Sequence, residues 1–446
     1  MTANNALKEE LKTGKKIIGV WGLGYIGYSS MAYFARAGVN CIGTDVTEHR
    51  VDDVNHGRQT IPNMDYWLGF DVKPLAKAGL MKATLNWEEL LDERVGVHLV
   101  SIPTEKDGKP YHDILEDVIT KLCKYKDVKK EHPPLVIIES TLSPNAMDNI
   151  AIPLVESHGL SVGEDILIGV APRRDWFTSP DKNLEKIPRV VGGTTQETTD
   201  IMAEVLSIIC INVLKAKDHR HSAIVKSIEN AYRQLDITLA NQLSLAYPDL
   251  DMTSILRLVG TKWNIGTYHP SFGTGGYCIP LAPQYVLEGA KHPEALTLLK
   301  ESLDVDFKQP EKVAKSLIKR GVKNVGILGL SYTSDLKVHI LSPAIPIAKA
   351  LKEAGINVKL QDPYYSADEI KGFVDTETFE FPEGLQEFDA ILIVSPHMQY
   401  RYINSSVVIE NLKECRLILD NMGAWKDVKF PEGIEYHEAG DENWLE

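Results

Sequence analysis

The chain has few cysteines, and their spacing excludes the sites that cysteine-rich proteins build. Its 446 residues include five cysteines, an odd number with no Cys-x-x-Cys pair. A disulfide framework or a zinc site is therefore not expected, and no metal is predicted. This pattern suits a reducing compartment, so we expect a cytoplasmic protein.

Long apolar runs and net positive charge are missing as well. No stretch of about 18 apolar residues occurs, so no membrane-spanning helix is predicted, and the polar first 16 residues do not resemble a secretion signal. The formal net charge of −14 argues against binding to nucleic acid or to a membrane surface. With 43% hydrophobic and 25% charged residues, the composition is that of a globular protein of two or three domains.

Short apolar segments alternate with helical ones at both ends of the chain, which predicts parallel sheets covered on both faces. Between them, a run without glycine or proline at 219–246 predicts one long helix. We therefore predict an α/β protein in which two Rossmann-like, doubly wound domains are joined by a helical central domain. The predicted domains are 1–213, 214–317 and 318–446. Strands are predicted at 16–21, 39–44, 97–101, 135–138, 166–170, 324–330, 358–361, 390–394 and 417–419, with a second central helix at 252–259.

Gly22, Gly24 and Gly27 follow the first predicted strand and open a helix. In a dinucleotide fingerprint, the first glycine permits a tight turn, the second lets backbone approach a pyrophosphate, and the third lets the helix pack closely on the strand. Asp45 follows 18 residues after Gly27, where a carboxylate accepts the ribose hydroxyls and favours NAD over NADP. Arg50 nearby points the other way, towards NADP, because an arginine can bind a 2′-phosphate. The alternative to cofactor binding is a glycine turn that only serves packing.

A thiol lies in a glycine-rich loop, where residues 270–280 place three glycines around Cys278. Glycines let a backbone adopt positive φ and approach a ligand closely. The thiol can capture an aldehyde made at a nicotinamide, so that the aldehyde is oxidised again. The alternative is a small buried hydrophobe.

Lys226, Asn230 and Arg233 lie on one face of the long predicted helix, at positions i, i+4 and i+7. A lysine and an asparagine one turn apart can stabilise a developing oxyanion. The alternative is a polar stripe that faces water. His397, which follows a predicted strand, is interpreted as a loop residue rather than a catalytic base.

Seven motifs occur in a specific order and spacing. They are Gly-Leu-Gly-Tyr-Ile-Gly at 22–27, Ser-Ile-Pro-Thr at 101–104, Glu-Ser-Thr at 139–141, Arg-Val-Val-Gly-Gly at 189–193, Val-Lys-Ser-Ile-Glu-Asn-Ala at 225–231, Gly-Gly-Tyr-Cys-Ile-Pro at 275–280, and Gly-Leu-Ser-Tyr at 329–332 with Ser-Pro at 342–343. Through them the chain resembles, over nearly its whole length, the nucleotide-sugar 6-dehydrogenases that act on UDP-glucose, UDP-N-acetylmannosamine or GDP-mannose.

The resemblance implies an NAD-binding domain, a helical dimerisation domain and a C-terminal nucleotide-sugar-binding domain in a homodimer. It also implies oxidation of a sugar C6 alcohol to the acid with two NAD, a UDP-sugar being the favoured substrate. Cys278 would attack the aldehyde, the thiohemiacetal would lose a second hydride, and water would cleave the thioester. Lys226 and Asn230 would stabilise the charged oxygen, and Thr141 would position water.

The site residues follow from the motifs and the resemblance together. Catalytic residues are Cys278, Lys226, Asn230 and Thr141. Cofactor-binding residues are Gly22, Gly24, Tyr25, Ile26, Gly27, Asp45, Arg50, Ser101, Pro103, Thr104, Ser140 and Thr141. Substrate-binding residues are Arg173, Lys226, Asn230, Tyr268, Ser271, Phe272, Gly273, Gly275, Tyr277 and Tyr332.

The chain departs from the family pattern at functional positions. Arg173 and Ala282 stand where the family has carboxylates, so thioester hydrolysis lacks a general base among the matched positions. Cations expected near the nucleotide are also replaced, by Asn264, Thr333, Ile340 and Met422. Three outcomes stay open: the full double oxidation, an oxidation that stops at the aldehyde or uses an atypical substrate, and an impaired regulatory protein that binds NAD and nucleotide sugar. A simple hydroxyacid dehydrogenase fits less well, because it needs neither the thiol loop nor a second α/β lobe.

Overall fold

A computed structural model describes residues 3–62, 64–128, 132–175 and 182–446. The chain divides into two compact units. The first unit is Met1–Glu229 with Gln284–Lys291, and the second unit is Asn230–Pro283 with His292–Glu446. Among the described residues, no helix has both the length and the apolarity that crossing a membrane requires.

Strands and helices are interspersed towards both ends of the chain, and a run of helices lies between them. The strands are β1 (Ile17–Trp21), β2 (Cys41–Thr44), β3 (Met81–Thr84), β4 (Val95–Val100), β5 (Glu105–Lys106), β6 (Lys109–Pro110), β7 (Leu135–Ile138), β8 (Leu167–Val170), β9 (Arg189–Gly193), β10 (Val213–Lys215), β11 (Asn324–Leu328), β12 (Asn357–Gln361), β13 (Ala390–Ile393), β14 (Leu417–Asp420) and β15 (Glu435–Glu438). The α-helices are α1 (Ala3–Lys12), α2 (Tyr25–Arg36), α3 (Glu48–Asn55), α4 (Met64–Leu68), α5 (Lys73–Lys77), α6 (Asp113–Cys123), α7 (Ile152–Ser157), α8 (Gln196–Leu206), α9 (His219–Ala246), α10 (Met252–Val259), α11 (Ala282–Glu288), α12 (Thr297–Phe307), α13 (Gln309–Lys319), α14 (Ala344–Glu353), α15 (Ala367–Val374), α16 (Met398–Arg401) and α17 (Ser405–Asn411). Single turns of other helix types lie at Trp87–Leu91, Lys124–Asp127, Met147–Ala151, Pro293–Ala295 and Glu383–Glu387.

The first unit contains a sheet of eight strands in the order β10-β9-β8-β7-β4-β1-β2-β3. Its central strands are buried on both faces, whereas the edge strands β3 and β10 are partly exposed. On β7, Leu135 and Ile137 join one apolar cluster, whereas Val136 and Ile138 join another. Because side chains alternate along a strand, these clusters cover opposite faces of the sheet. The doubly wound fold predicted from the sequence is confirmed in this unit.

One sheet feature was not predicted. The strand β9 runs antiparallel to β8, while the other pairs of this sheet are parallel. The segments of β3, β5, β6, β9, β10 and β15 were not predicted as strands. All of them except β9 have at most four residues, and β9 ends in two glycines, which weakens a strand signal.

The second unit repeats the arrangement on a smaller scale. Its sheet has the order β12-β11-β13-β14-β15, and every neighbouring pair is parallel. On β13, Ala390 and Leu392 join one apolar cluster, and Ile391 and Ile393 join another. The helices α9 and α10 have the bounds predicted from the sequence. The architecture of two Rossmann-like domains with a helical region between them along the chain is therefore present.

Candidate active site

The turn after β1 has the features of a dinucleotide cradle. Gly22 has φ +90°, and a Cβ there would lie 2.4 Å from the carbonyl oxygen of Ser101. A Cβ on Gly27 would lie 1.9 Å from the carbonyl oxygen of Gly22. Around Gly24, nothing lies within 4 Å of such an atom. The first and third glycines are thus required by packing, whereas the second leaves open backbone at the start of α2, where a pyrophosphate can approach.

Asp45 lies at the end of β2 with its carboxylate fixed by backbone amides. Its Oδ2 accepts from the Leu23 amide over 2.7 Å, and its Oδ1 accepts from the Thr47 amide over 2.9 Å. Arg50 places Nη1 3.4 Å from the same Oδ2. The arginine that would meet a 2′-phosphate is therefore paired with Asp45, which suits the free ribose hydroxyls of NAD.

The segments after β4 and β7 are bonded to each other. The Ser140 hydroxyl donates to the Ile102 carbonyl over 2.7 Å and accepts from the Ile102 amide over 2.9 Å. The Thr104 hydroxyl donates to the Thr141 carbonyl over 2.7 Å. These predicted cofactor residues therefore shape the wall at the carboxyl ends of the strands, where open α/β sheets bind ligands. Three other predicted cofactor residues, Tyr25, Ile26 and Pro103, are partly or fully exposed.

Arg173, predicted to bind substrate, is buried inside the first unit, where it is 1% exposed. Its guanidinium donates to the Asp175 carboxylate over 2.6 and 2.7 Å. Burial opposes the charge, but the charge of Asp175 and its hydrogen bonds hold the pKa of Arg173 above its usual value. This placement does not favour the predicted contact with a sugar, because the cation is used within the protein.

The thiol loop belongs to the second unit, and its cysteine differs from the others. Cys278 is exposed, whereas the remaining four cysteines, Cys41, Cys123, Cys210 and Cys415, are buried. Burial raises the pKa of Cys123 to about 11 and that of Cys415 to about 12. Only Cys278 is presented as a nucleophile, and the alternative of a buried hydrophobe does not fit its exposure.

The loop is shaped by contacts with the segment that follows β11. Gly276 has φ +85°, and its amide donates to the Ile340 carbonyl over 2.7 Å. A Cβ on Gly276 would lie 2.5 Å from the Tyr332 ring, and one on Gly275 would lie 2.5 Å from the Tyr332 Cβ. The two glycines are thus needed so that the aromatic ring can lie against the loop backbone.

Phe272 belongs to the core rather than to a ligand surface. Its side chain is fully buried and stacks on Trp444 with a ring-centroid distance of 5.9 Å. Its amide donates to the Asn421 side chain over 2.8 Å. The predicted substrate contact of Phe272 is not favoured, since the ring anchors the loop. Tyr277, in contrast, is 47% exposed beside the thiol.

Neighbouring predicted residues are held by the same surroundings. The Ser271 amide donates to the Asn241 side chain over 2.7 Å, and the Ser271 hydroxyl accepts from the Gly273 amide over 3.3 Å. Tyr268 is half-buried and hydrogen-bonded to Asp236. Burial raises the pKa of that carboxyl. The sequence contained no signal for Asp236.

Arg233 is absent from the predicted site residues, yet it lies near the thiol. Its Nη1 donates to the Asn230 Oδ1 over 3.2 Å. Burial lowers its pKa, while the nearby Cys278 and Tyr268 favour its charge. Its position three residues after Asn230 was the signal available. Asn230 is itself buried, so the interpretation of the stripe as water-facing does not hold there.

The helix α9 begins in the first unit and continues in the second, so that Lys226 belongs to the first unit and Asn230 to the second. Lys226 is partly exposed and lies one helical turn before Asn230. Thr141 is partly exposed in the first unit. Ala282, where a carboxylate is expected, is the buried first residue of α11.

A buried carboxylate holds the loop from the other side. Asp306, near the end of α12, accepts from the Thr274 amide over 3.3 Å and from the Thr274 hydroxyl. Burial raises the pKa of Asp306. Residue patterns did not identify Asp306, since its role depends on where the end of α12 meets the loop.

Family models of the UDP-glucose/GDP-mannose dehydrogenase family match three parts of the chain. The NAD binding domain matches residues 16–210, the central domain matches 220–306, and the UDP binding domain matches 326–427. The domain boundaries given in the sequence analysis remain predictions.

Curated relatives match over most of their length. Protein CapL of Staphylococcus aureus is 30% identical over 421 residues, which are 91% of this chain and 95% of the relative. The UDP-N-acetyl-D-glucosamine 6-dehydrogenase of Pseudomonas aeruginosa is 26% identical, with 89% and 93% covered. Among solved structures, a UDP-D-ManNAc dehydrogenase from Pyrococcus horikoshii has a TM-score of 0.81 at 24% identity, with 96% and 99% covered, and so shares the fold.

Proposed function

Since the chain belongs to the UDP-glucose/GDP-mannose dehydrogenase family, whose members are NAD-dependent oxidoreductases, we propose that it oxidises the C6 alcohol of a UDP-sugar to the uronic acid. The observation that carries the proposal is Cys278, an exposed thiol in a glycine-rich loop beside four buried thiols. The match to a UDP binding domain supports the choice of nucleotide.

The chemistry assigns roles to Cys278, Lys226 and Asn230, and Thr141 would position the water that cleaves the thioester. Bound NAD supplies the hydride acceptor for each of the two oxidations. The Cys278 thiolate adds to the aldehyde carbon, forming a C–S bond while the carbonyl electron pair moves to oxygen. Lys226 and Asn230 stabilise that oxygen. After the second hydride has left, water adds to the thioester, the C–S bond breaks, and the acid and the free thiol are released.

The fate of the substrate tests the proposal. Purified enzyme with a UDP-sugar and excess NAD is expected to form two NADH per sugar and a uronic acid, read by absorbance and mass spectrometry. Iodoacetamide is expected to alkylate Cys278 first and to abolish acid formation. Cys278→Ser is expected to lose acid formation while its NADH dissociation constant stays within about twofold of wild type. One NADH per sugar with a free aldehyde would refute the double oxidation.

A second candidate rests on the two missing carboxylates. Arg173 is a guanidinium in a buried ion pair and Ala282 has no basic group, so neither can act as a base at the thioester. The protein would then stop at the aldehyde, or bind NAD and nucleotide sugar as a regulator. It gains support if wild type binds NADH and UDP yet forms no NADH with any UDP-sugar.

We also propose a homodimer formed through the central helices. Within the second unit, α9 exposes Tyr232 at 67%, α10 exposes Leu258 at 71%, and the following loop exposes Trp263 at 92%. Apolar surface of this extent favours burial against a second copy. Light scattering after size exclusion is expected to give twice the chain mass, and Leu258→Asp with Trp263→Asp is expected to give monomers. A monomeric wild type would refute it. The cytoplasmic location remains a prediction from the cysteine pattern.

A further inference from the structure

The buried guanidinium of Arg173 makes hydrogen bonds with all five of its N–H groups. Nε and Nη2 donate to the two oxygens of Asp175 over 2.7 and 2.6 Å. Nη2 also donates to the Ser29 hydroxyl over 3.0 Å, and Nη1 donates to the Ser30 hydroxyl over 2.7 Å and to the Ile26 carbonyl over 3.1 Å. Three of its four bonded residues therefore belong to the first two turns of α2.

These turns are the part of α2 that follows the open glycine. Gly24 is the N-cap of the helix, and its amide region is the place where a dinucleotide pyrophosphate would be bound. An arginine bonded to the Ile26 carbonyl and to the Ser29 and Ser30 hydroxyls fixes the orientation of the start of α2.

The hydrogen-bond network of Arg173 extends to the Ser101 segment, which is another part of the predicted cofactor site. The Ser30 hydroxyl, which accepts from Arg173, donates to Glu139 over 2.7 Å. Glu139 also accepts from the Ser101 hydroxyl over 2.9 Å and forms an ion pair with Arg189 over 2.6 Å. One buried network thus joins the loop after β8, the start of α2, and the segment after β4.

We propose that Arg173 is a positioning residue for NAD, which sets the start of α2 and the Ser101 segment in the geometry that the cofactor requires. The two arginines and two carboxylates sum to zero charge, so the network can be buried as a unit. Buried ion pairs generally contribute little to stability compared with apolar side chains of the same shape. The network instead fixes the positions of the start of α2 and of the Ser101 segment, because each donor of Arg173 is directed to a fixed acceptor. Small misplacements of groups at a binding site weaken binding and catalysis.

The test separates cofactor binding from folding. Arg173→Met with Asp175→Leu removes both charges together, so no unpaired ion remains in the core. The dissociation constant of NADH, measured by fluorescence titration, is expected to rise about tenfold, while that of UDP stays within about twofold. The KM for NAD is expected to rise without a matching rise in the KM for the sugar. Arg173→Lys, which keeps the charge, is expected to fall between the double variant and wild type.

Arg94→Met provides a matched control, since Arg94 is an exposed arginine of the same unit that pairs with Asp92. Its NADH dissociation constant is expected to equal that of wild type. An unchanged NADH dissociation constant in the folded double variant would overturn the proposal. If the double variant does not fold, the Ser30→Ala variant tests the proposal instead. It removes the bridging hydroxyl and leaves both ion pairs, so NADH binding should weaken by about threefold, and unchanged binding would again overturn the proposal.

Discussion

The first strand of each sheet ends in the same backbone turn. After β1, Gly22 has φ +90°, and the amide of the next residue donates to Asp45 over 2.7 Å. After β11, Gly329 has φ +100°, and the amide of the next residue donates to Asp362 over 2.8 Å. The two sheets therefore place a carboxylate at the end of the second strand in the same local way.

Both carboxylates are buried, but their other partners differ. Asp45 is approached by the partly exposed Arg50, whereas Asp362 accepts also from the Ser331 amide over 2.9 Å and contacts His397 Nε2 over 3.1 Å. The Asp335 amide donates to His397 Nδ1 over 2.8 Å. Burial opposes the charged ring, but the hydrogen bonds and charges of Asp335 and Asp362 hold the pKa of His397 above its usual value. The same turn is thus predicted to serve the cofactor in the first unit, and in the second unit it holds a carboxylate that pairs with His397.

The largest effect is expected from deleting the Asp362 carboxylate. Asp362→Ala leaves three amides, a hydroxyl and His397 without their acceptor, which should cost about 4 kcal/mol of unfolding free energy. Denaturant titration measures the unfolding free energy. Asp45→Ala is the matched control, and it is expected to lose less than half as much unfolding free energy as Asp362→Ala. A larger loss in the Asp45 variant would reverse the comparison.

A somewhat smaller effect is expected on cofactor binding. Asp45→Asn keeps an acceptor for the Leu23 amide but removes the charge that the ribose hydroxyls would meet. The NADH dissociation constant, measured by fluorescence titration, should rise about 30-fold, which corresponds to a loss of ~2 kcal/mol of binding free energy. Asp362→Asn should leave it within about twofold. Equal effects of the two substitutions on NADH binding would contradict the assignment.

Gly24 provides a further test of the difference between the two sheets, because the segment after β11 has no equivalent glycine fingerprint. Gly24→Ala meets no protein atom within 4 Å, so the melting temperature should stay near that of wild type. The added methyl group would occupy the approach of the pyrophosphate, and NADH binding should weaken about tenfold, or ~1.4 kcal/mol. Gly27→Ala should instead lower the melting temperature. NADH binding at the wild-type level in Gly24→Ala would refute this reading.

The smallest effect concerns pH. Burial alone would raise the pKa of Asp362, but hydrogen bonds from His397 and from backbone amides hold it below its usual value. A carboxyl group of this kind stabilises the fold above its unfolded pKa of about 4, and the contribution is lost as pH falls through the folded pKa. The unfolding free energy of wild type should therefore fall more steeply between pH 5 and 3 than that of Asp362→Asn. Parallel curves would exclude this contribution.

The features that sequence predicted are those that local patterns determine. The bounds of α9 follow from a long run without glycine or proline, and the turn at Gly22 follows from a fingerprint of six residues. The glycines around Cys278 predicted a loop that carries a nucleophile, with a buried hydrophobe as the alternative, and the thiol is exposed.

Features that depend on distant partners were missed. Phe272 looked like part of a ligand loop, yet its burial is decided by Trp444 near the end of the chain. Arg173 looked like a cation for substrate because its sequence neighbours do not show that Ser29 and Ser30 would accept from it. The antiparallel direction of β9 was also out of reach, since an apolar run has no direction until its partner strand is known.

The contact of Tyr332 and Ile340 with the thiol loop has a consequence for biosynthesis. The ribosome makes Cys278 well before it makes the aromatic ring and the carbonyl that shape the loop around it. A nascent chain that already contains the whole NAD-binding region and the thiol still lacks these contacts. The nucleophile therefore acquires its final surroundings only when translation has passed residue 340, so the order of synthesis itself delays the assembly of the reactive loop.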